Sequence, residues 1–99
     1  MKSVLFALDG VLRDVQGEPI KDNIALARAL YCAGHDVLVT GPRDAYEWLR
    51  KHDVTFDDRL TGRHITIDAT KLMFAVVNDE IMAHALKCAG VHTWRYENA

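Results

Sequence analysis

The chain is short of cysteine. Its 99 residues hold two, Cys32 and Cys88, and they form no CxxC pair. The five histidines are scattered, without the spacing of a zinc site. A reducing cytoplasm with free, mostly buried thiols is the expectation. No sign of charge dominates either. Twelve basic residues stand against 14 acidic ones, for a formal net charge of −2. That argues against a general nucleic-acid coat and leaves room for a local phosphate site. No apolar run approaches the roughly 20 residues needed to span a bilayer. Lys2 and the apolar residues after it resemble the opening of a signal peptide, but Asp9 interrupts them early and no small-residue cleavage site follows. Low-complexity segments and linkers are missing too. What remains, 49% hydrophobic and 26% charged, has the composition of a folded chain. The length suits one domain over 1–99 rather than two.

The stretch Ser3-Val4-Leu5-Phe6-Ala7-Leu8-Asp9-Gly10 is an apolar run broken abruptly by an acid and a glycine. It reads as a buried strand over 3–8 that feeds a functional loop. A loop over 10–19 follows, with turn chemistry at Gly17-Glu18-Pro19. Ile20, Ile24, Ala27 and Tyr31 recur at helical spacing, with Leu30 beside them, and predict a helix from about Asp22 to Ala33. Gly34 is a natural left-handed stop for it. Val37 to Thr40 reads as a second buried strand. Asp44 to His52 reads as a helix with Trp48 and Leu49 on its inner face, and Phe56 anchors the connection after it. Leu60 and His64 to Ile67 alternate like a half-buried edge strand, and Asp68 suits the cap of a short helix through Lys71. Phe74 to Val77 is a further buried strand. Glu80 to Ala89 reads as a helix with Ile81, Ala85, Cys88 and Ala89 inward, stopped by Gly90, and Val91 to Tyr96 as a last strand. Ala29 to Gly34 echoes Ala85 to Gly90. Equivalent packing of two helix ends explains that echo better than duplication does.

Alternating strands and helices with short connections predict an α/β fold, a parallel sheet with helices on both faces. In such sheets ligands bind beyond the carboxyl ends of the strands. Three of those ends are polar: Asp9, Thr40, and Asn78-Asp79. Each alone suits a turn or a cap. Together, and in this order, they make a candidate site.

Ala7-Leu8-Asp9-Gly10-Val11-Leu12 resembles the opening motif of the haloacid dehalogenase-like phosphohydrolases, Asp-x-Asp-Gly-(Thr/Val)-Leu, with alanine at the first aspartate. Val37-Leu38-Val39-Thr40-Gly41 resembles that family's second motif, and Phe74-Ala75-Val76-Val77-Asn78-Asp79 its fourth, with Asn78 in place of glycine or aspartate. Lys71 is the lysine in the interval of the third, although the segment before Phe74 looks shortened. Gly41, Arg43, Trp48-Leu49, His52, Phe56-Asp57, Leu60 and Arg63 are similar to the stretch after motif two in phage-type polynucleotide 3′-phosphatases. So is Asn78 through Tyr96. Packing alone also accounts for Trp48 and Trp94.

The resemblance implies a three-layer, Rossmann-like sheet without a cap domain, since only Val11 to Lys21 separates motif one from the first helix. It implies that position 7 is the nucleophile's place and that Asp9 is the general acid and base. Thr40 and Lys71 would hold phosphate, with Gly10, Gly41 and Arg43 against the substrate. Asp9 and Asp79, with Asn78 as a further candidate, would hold Mg²⁺. Ala7 removes both the attacking oxygen and one anionic metal ligand. Asp9 cannot replace it, because positions 7 and 9 of a strand share a face but lie about 6–7 Å apart. No turnover is expected from this sequence, and Mg²⁺ is expected to bind weakly or not at all. The alanine is either natural, leaving a binding or regulatory module, or an inactivating replacement. An open site favours a phosphorylated ligand such as a nucleotide or a nucleic-acid end, or a protein partner, over a small enclosed metabolite.

Overall fold

The computed structural model describes residues 3–42, 44–60 and 72–96. Among the described residues eight elements follow one another: β1 (Ser3–Ala7), α1 (Lys21–Cys32), β2 (Asp36–Thr40), α2 (Ala45–Lys51), β3 (Asp58–Leu60), β4 (Leu72–Val77), α3 (Glu80–Cys88) and β5 (Thr93–Arg95). The strands form one five-stranded sheet in the order β3-β2-β1-β4-β5. The four strand pairs of this sheet are parallel. The architecture is compatible with a Rossmann-like fold.

Central strands of a parallel sheet are buried on both sides, so they read as unbroken apolar runs. β1 shows this, with Val4, Leu5 and Phe6 all fully buried. Alternate residues of the strand join different clusters. Val4 and Phe6 pack with Ala27 of α1 and with Ala45 and Leu49 of α2, while Leu5 packs with Leu72, Ala75, Val91 and Leu86 of α3.

The two echoing helix ends are the same device. The N–H of His35 donates to the carbonyl of Leu30, and that of Val91 to the carbonyl of Leu86, each at 3.0 Å. Gly34 and Gly90 supply the left-handed residue between.

Several expectations need correction. β1 ends at Ala7, one residue early, because the chain turns at Leu8. α3 buries Ala83 and half-buries Met82 and Leu86, whereas Ile81, Ala85, Cys88 and Ala89 are exposed. Cys32 is exposed as well, so neither thiol is buried. On α1, Leu30 packs inward and Tyr31 is exposed. After α2, Val54 is buried more deeply than Phe56. The edge strand beside β2 starts at Asp58, tied by paired bonds between Val37 and Asp57. The expected strand at His64 to Ile67 and the Asp68 cap lie outside the described residues. Trp94 is 59% exposed and touches the edge of Phe74 at 5.1 Å between ring centres. Among the described residues, no helix is long and apolar enough to cross a membrane.

Candidate functional site

The strand order reverses direction at β1. The chain runs outward from it through β2 to β3, then returns on its other side as β4 and β5. Such a switch point opens a crevice, because the loops leaving the two neighbouring strands diverge. A cleft of roughly 530 Å³ lies there, lined by Asp9, Gly10, Arg13, Asp14, Gln16 and Asn78 among others. Asp9 and Gly10 come from the loop after β1, and Asn78 is the first residue after β4.

The loop after β1 is built by its own backbone. The Leu8 carbonyl accepts from the N–H groups of Val11, Leu12 and Arg13, and the N–H of Gly10 donates to the Arg13 carbonyl. Leu8, Val11 and Leu12 are fully buried and pin the loop to the core. Asp14 organises the distal turn, its Oδ1 accepting from the N–H groups of Gln16 and Glu18, both at 2.9 Å. Two more bonds anchor the loop to helices. Asn23 Nδ2 donates to the Val11 carbonyl, and Trp48 Nε1 donates to the Gly17 carbonyl. α2 therefore supports the cleft from outside it.

Gly10 has φ +82°, and a Cβ there would meet Cγ of Asn78 at 2.6 Å. The two loops touch at this point, and only glycine fits. Asn78 is fixed in turn, its Nδ2 donating to the Tyr96 carbonyl at 2.7 Å and its own carbonyl accepting from Arg95 Nε at 3.3 Å. β5 thus holds the second wall of the cleft.

Arg13 has a central place that the sequence reading missed. Its side chain is only 14% exposed, its Nε donates to Asp9 Oδ1 at 2.6 Å, and its guanidinium lies 5.6 Å from the centre of the Trp48 ring. A charged residue in a loop reads as solvated from sequence. The one local signal was the four-residue spacing from Asp9.

The expected residues fall into four groups. Asp9, Gly10 and Asn78 share the cleft. Ala7 and Thr40 are register partners at the carboxyl ends of β1 and β2, with the Leu8 N–H bonded to the Thr40 carbonyl at 2.8 Å. Thr40 is buried, and Gly41 sits where a Cβ would press on Ala45 and Leu8 at 3.1 and 3.2 Å. Among the described residues, the cleft lining includes neither of these pairs, nor Asp79. Asp79 caps α3, its Oδ1 accepting from the Ile81 N–H at 2.9 Å. Lys71 and Arg43 lie outside the described residues. Because Asp9 stands in a turn beyond β1, the alternation of strand faces does not govern its relation to Ala7.

Magnesium asks for about six oxygen donors in near-octahedral array. Here one oxygen of Asp9 is taken by Arg13, one of Asp79 by the start of α3, and the Asn78 amide donates to the Tyr96 carbonyl just past β5. Among the described residues, no three His, Cys, Asp or Glu side chains gather closely enough to hold a metal ion. The described donors do not fit a bound magnesium ion.

No protein-family model matches the chain, and no curated protein matches it significantly.

Proposed function

We propose that this chain is a minimal phosphohydrolase scaffold of the haloacid dehalogenase-like kind, without turnover in its present form, that takes phosphate monoesters at the switch-point cleft. The observation that carries the reading is the joining of Asp9, Gly10 and Asn78 in one cleft beyond the carboxyl ends of β1 and β4. A three-layer arrangement without a cap is part of the proposal. It is supported by the division of β1 between a cluster with α1 and α2 and another with α3. The ligand class we assign is a nucleotide or a polynucleotide end, in keeping with an open cleft, and the location we assign is cytoplasmic.

The chemistry of such a scaffold needs a carboxylate at position 7. It would attack phosphorus, Asp9 would protonate the departing alcohol, and water activated by Asp9 would then cleave the acyl phosphate and release inorganic phosphate. Ala7 supplies no attacking atom, so the ester bond stays intact. The unmodified protein should therefore bind without reacting. Titration with a 3′-phosphorylated oligonucleotide, followed by amide NMR, should shift Gly10, Arg13, Gln16 and Asn78, which line the cleft, while its unphosphorylated twin shifts none. No inorganic phosphate should appear. Saturation that leaves these four amides unmoved would refute the assignment of the cleft.

One observation favours a second reading, a binding or regulatory module that keeps the fold and has lost the chemistry. Arg13, largely buried, holds the Asp9 carboxylate at 2.6 Å, which makes the acid part of a structural pair. On this reading a phosphorylated ligand or a protein partner is bound with no latent activity, and restoring a carboxylate at position 7 produces none.

A further inference from the structure

A second hollow lies beside the switch-point cleft. It is a groove of roughly 280 Å³ lined by Pro19, Lys21, Ile24, Ala25, Arg28 and His52. Four of these come from one face of α1, at spacings of three and four residues. Among the described residues, the lining carries two cations, an imidazole and no acid. Two of these three polar groups are held in place. Arg28 Nη2 donates to the Asp53 carbonyl at 2.7 Å, and the His52 ring lies against that of Trp48, 4.3 Å between centres. The Asp53 carboxylate stands 3.7 Å from the same nitrogen but is fully exposed. Solvent screens such a pair and leaves the charge of Arg28 open to a ligand. Groove and cleft adjoin. Gly17 lines the cleft and Pro19 the groove, so the chain between them spans no more than about 7 Å. Trp48 joins the two, with Nε1 bonded to the Gly17 carbonyl, Arg13 over its ring and His52 beside it.

We propose that this groove is a subsite for the backbone phosphates of a polynucleotide whose 3′-phosphate end occupies the cleft; the inference rests on the cleft reading above. It selects a strand over a free nucleotide. A nucleoside 3′-phosphate has a single phosphate, which the cleft takes, so only a longer strand has anions left for the groove. Lys21 pairs with a phosphate as a point charge, and Arg28 through the guanidinium N–H groups that Asp53 leaves unused. The His52 imidazole adds a further donor, and Pro19, Ile24 and Ala25 offer apolar contact to the sugars. Contacts of this kind fix the register of a strand without reading its sequence. The attraction is local, since the chain as a whole carries a net charge of −2.

The test is calorimetric titration with two probes, 3′-phosphorylated thymidine and 3′-phosphorylated hexathymidylate, across a range of salt concentrations. The hexamer should bind more tightly than the mononucleotide and with a steeper salt dependence. Lys21→Gln and Arg28→Gln should each weaken hexamer binding about twofold to fivefold. Each should also flatten the slope of log K against log salt by about 0.7, the loss of one single-strand phosphate contact. Lys21→Arg should restore both, and mononucleotide binding should be unchanged throughout. Circular dichroism checks the fold of each variant, and Lys21, exposed in the first turn of α1, carries the test if Arg28→Gln unfolds. A hexamer whose affinity and slope ignore these substitutions overturns the groove; if the mononucleotide still binds, the cleft reading stands. A hexamer that responds to them while the mononucleotide fails to bind supports the groove and refutes the cleft. Failure of both probes to bind overturns both.

Discussion

At Gly10 the backbone has φ +82° and no room for a Cβ, whereas Gly17, in the same loop with the same φ, has nothing within 4 Å of where a Cβ would be. The two positions separate conformational strain from collision. Gly17→Ala should cost about 1–2 kcal/mol, the penalty of a left-handed non-glycine residue. Gly10→Ala adds overpacking against Asn78 and should cost about 2–4 kcal/mol in all. Urea unfolding of both variants measures the gap; equal losses would mean that the two loops do not meet as described. The same residues show what a sequence exposes of a site. Asp9 and Asn78 stood out because polar residues end apolar strands there. Arg13 did not, because its burial and the Trp48 ring beside it come from tertiary contact, and the spacing from Asp9 alone does not mark it. The use of Asp79 as a cap is an ordinary role for aspartate, worth about 1 kcal/mol, and sequence alone could not rank it below metal binding.

Among the elements, the buried strands were legible and the helix faces less so. Val4 to Phe6, Val37 to Val39 and Ala75 to Val77 are apolar runs that only a doubly covered strand explains. α3 is different, since apolar residues occupy two stripes. Ile81, Ala85 and Cys88 keep helical spacing, and so do Met82, Ala83 and Leu86. Periodicity cannot choose between them. The choice is made by the sheet, where Leu86 packs against the Leu5, Leu72, Ala75 and Val91 cluster. On this account Ile81→Lys should change stability by no more than about 0.5 kcal/mol, as exposed substitutions do. Ala83→Leu should cost about 1–3 kcal/mol through overpacking. Thermal melts of the two variants check the assignment, and the reverse ranking would restore the face first expected.

Across the whole molecule, β1 joins the two hydrophobic clusters by giving alternate residues to each. Damage on either side should therefore be felt everywhere. Leu5→Ala and Phe6→Ala should each lower stability by about 2–5 kcal/mol while unfolding stays a single cooperative transition. Two separated transitions in either variant, by circular dichroism and tryptophan fluorescence, would mean that the clusters fold independently. The parallel α/β architecture was readable because strands, helices and turn residues alternate along the chain. The switch point was less so. It depends on β4 returning beside β1, a long-range pairing that no local pattern records.

Position 7 decides between the two readings, and one assay addresses it directly. Ala7→Asp, assayed with Mg²⁺ present, should release inorganic phosphate from a 3′-phosphorylated oligonucleotide or an aryl phosphate. The rate should exceed that of the unmodified protein by at least roughly a hundredfold, the low end of what one positioned catalytic group contributes. Ala7→Asn, similar in size but without a nucleophilic carboxylate, should stay at background. A folded Ala7→Asp protein that releases no phosphate from either substrate would contradict the phosphohydrolase reading and leave the binding module in its place.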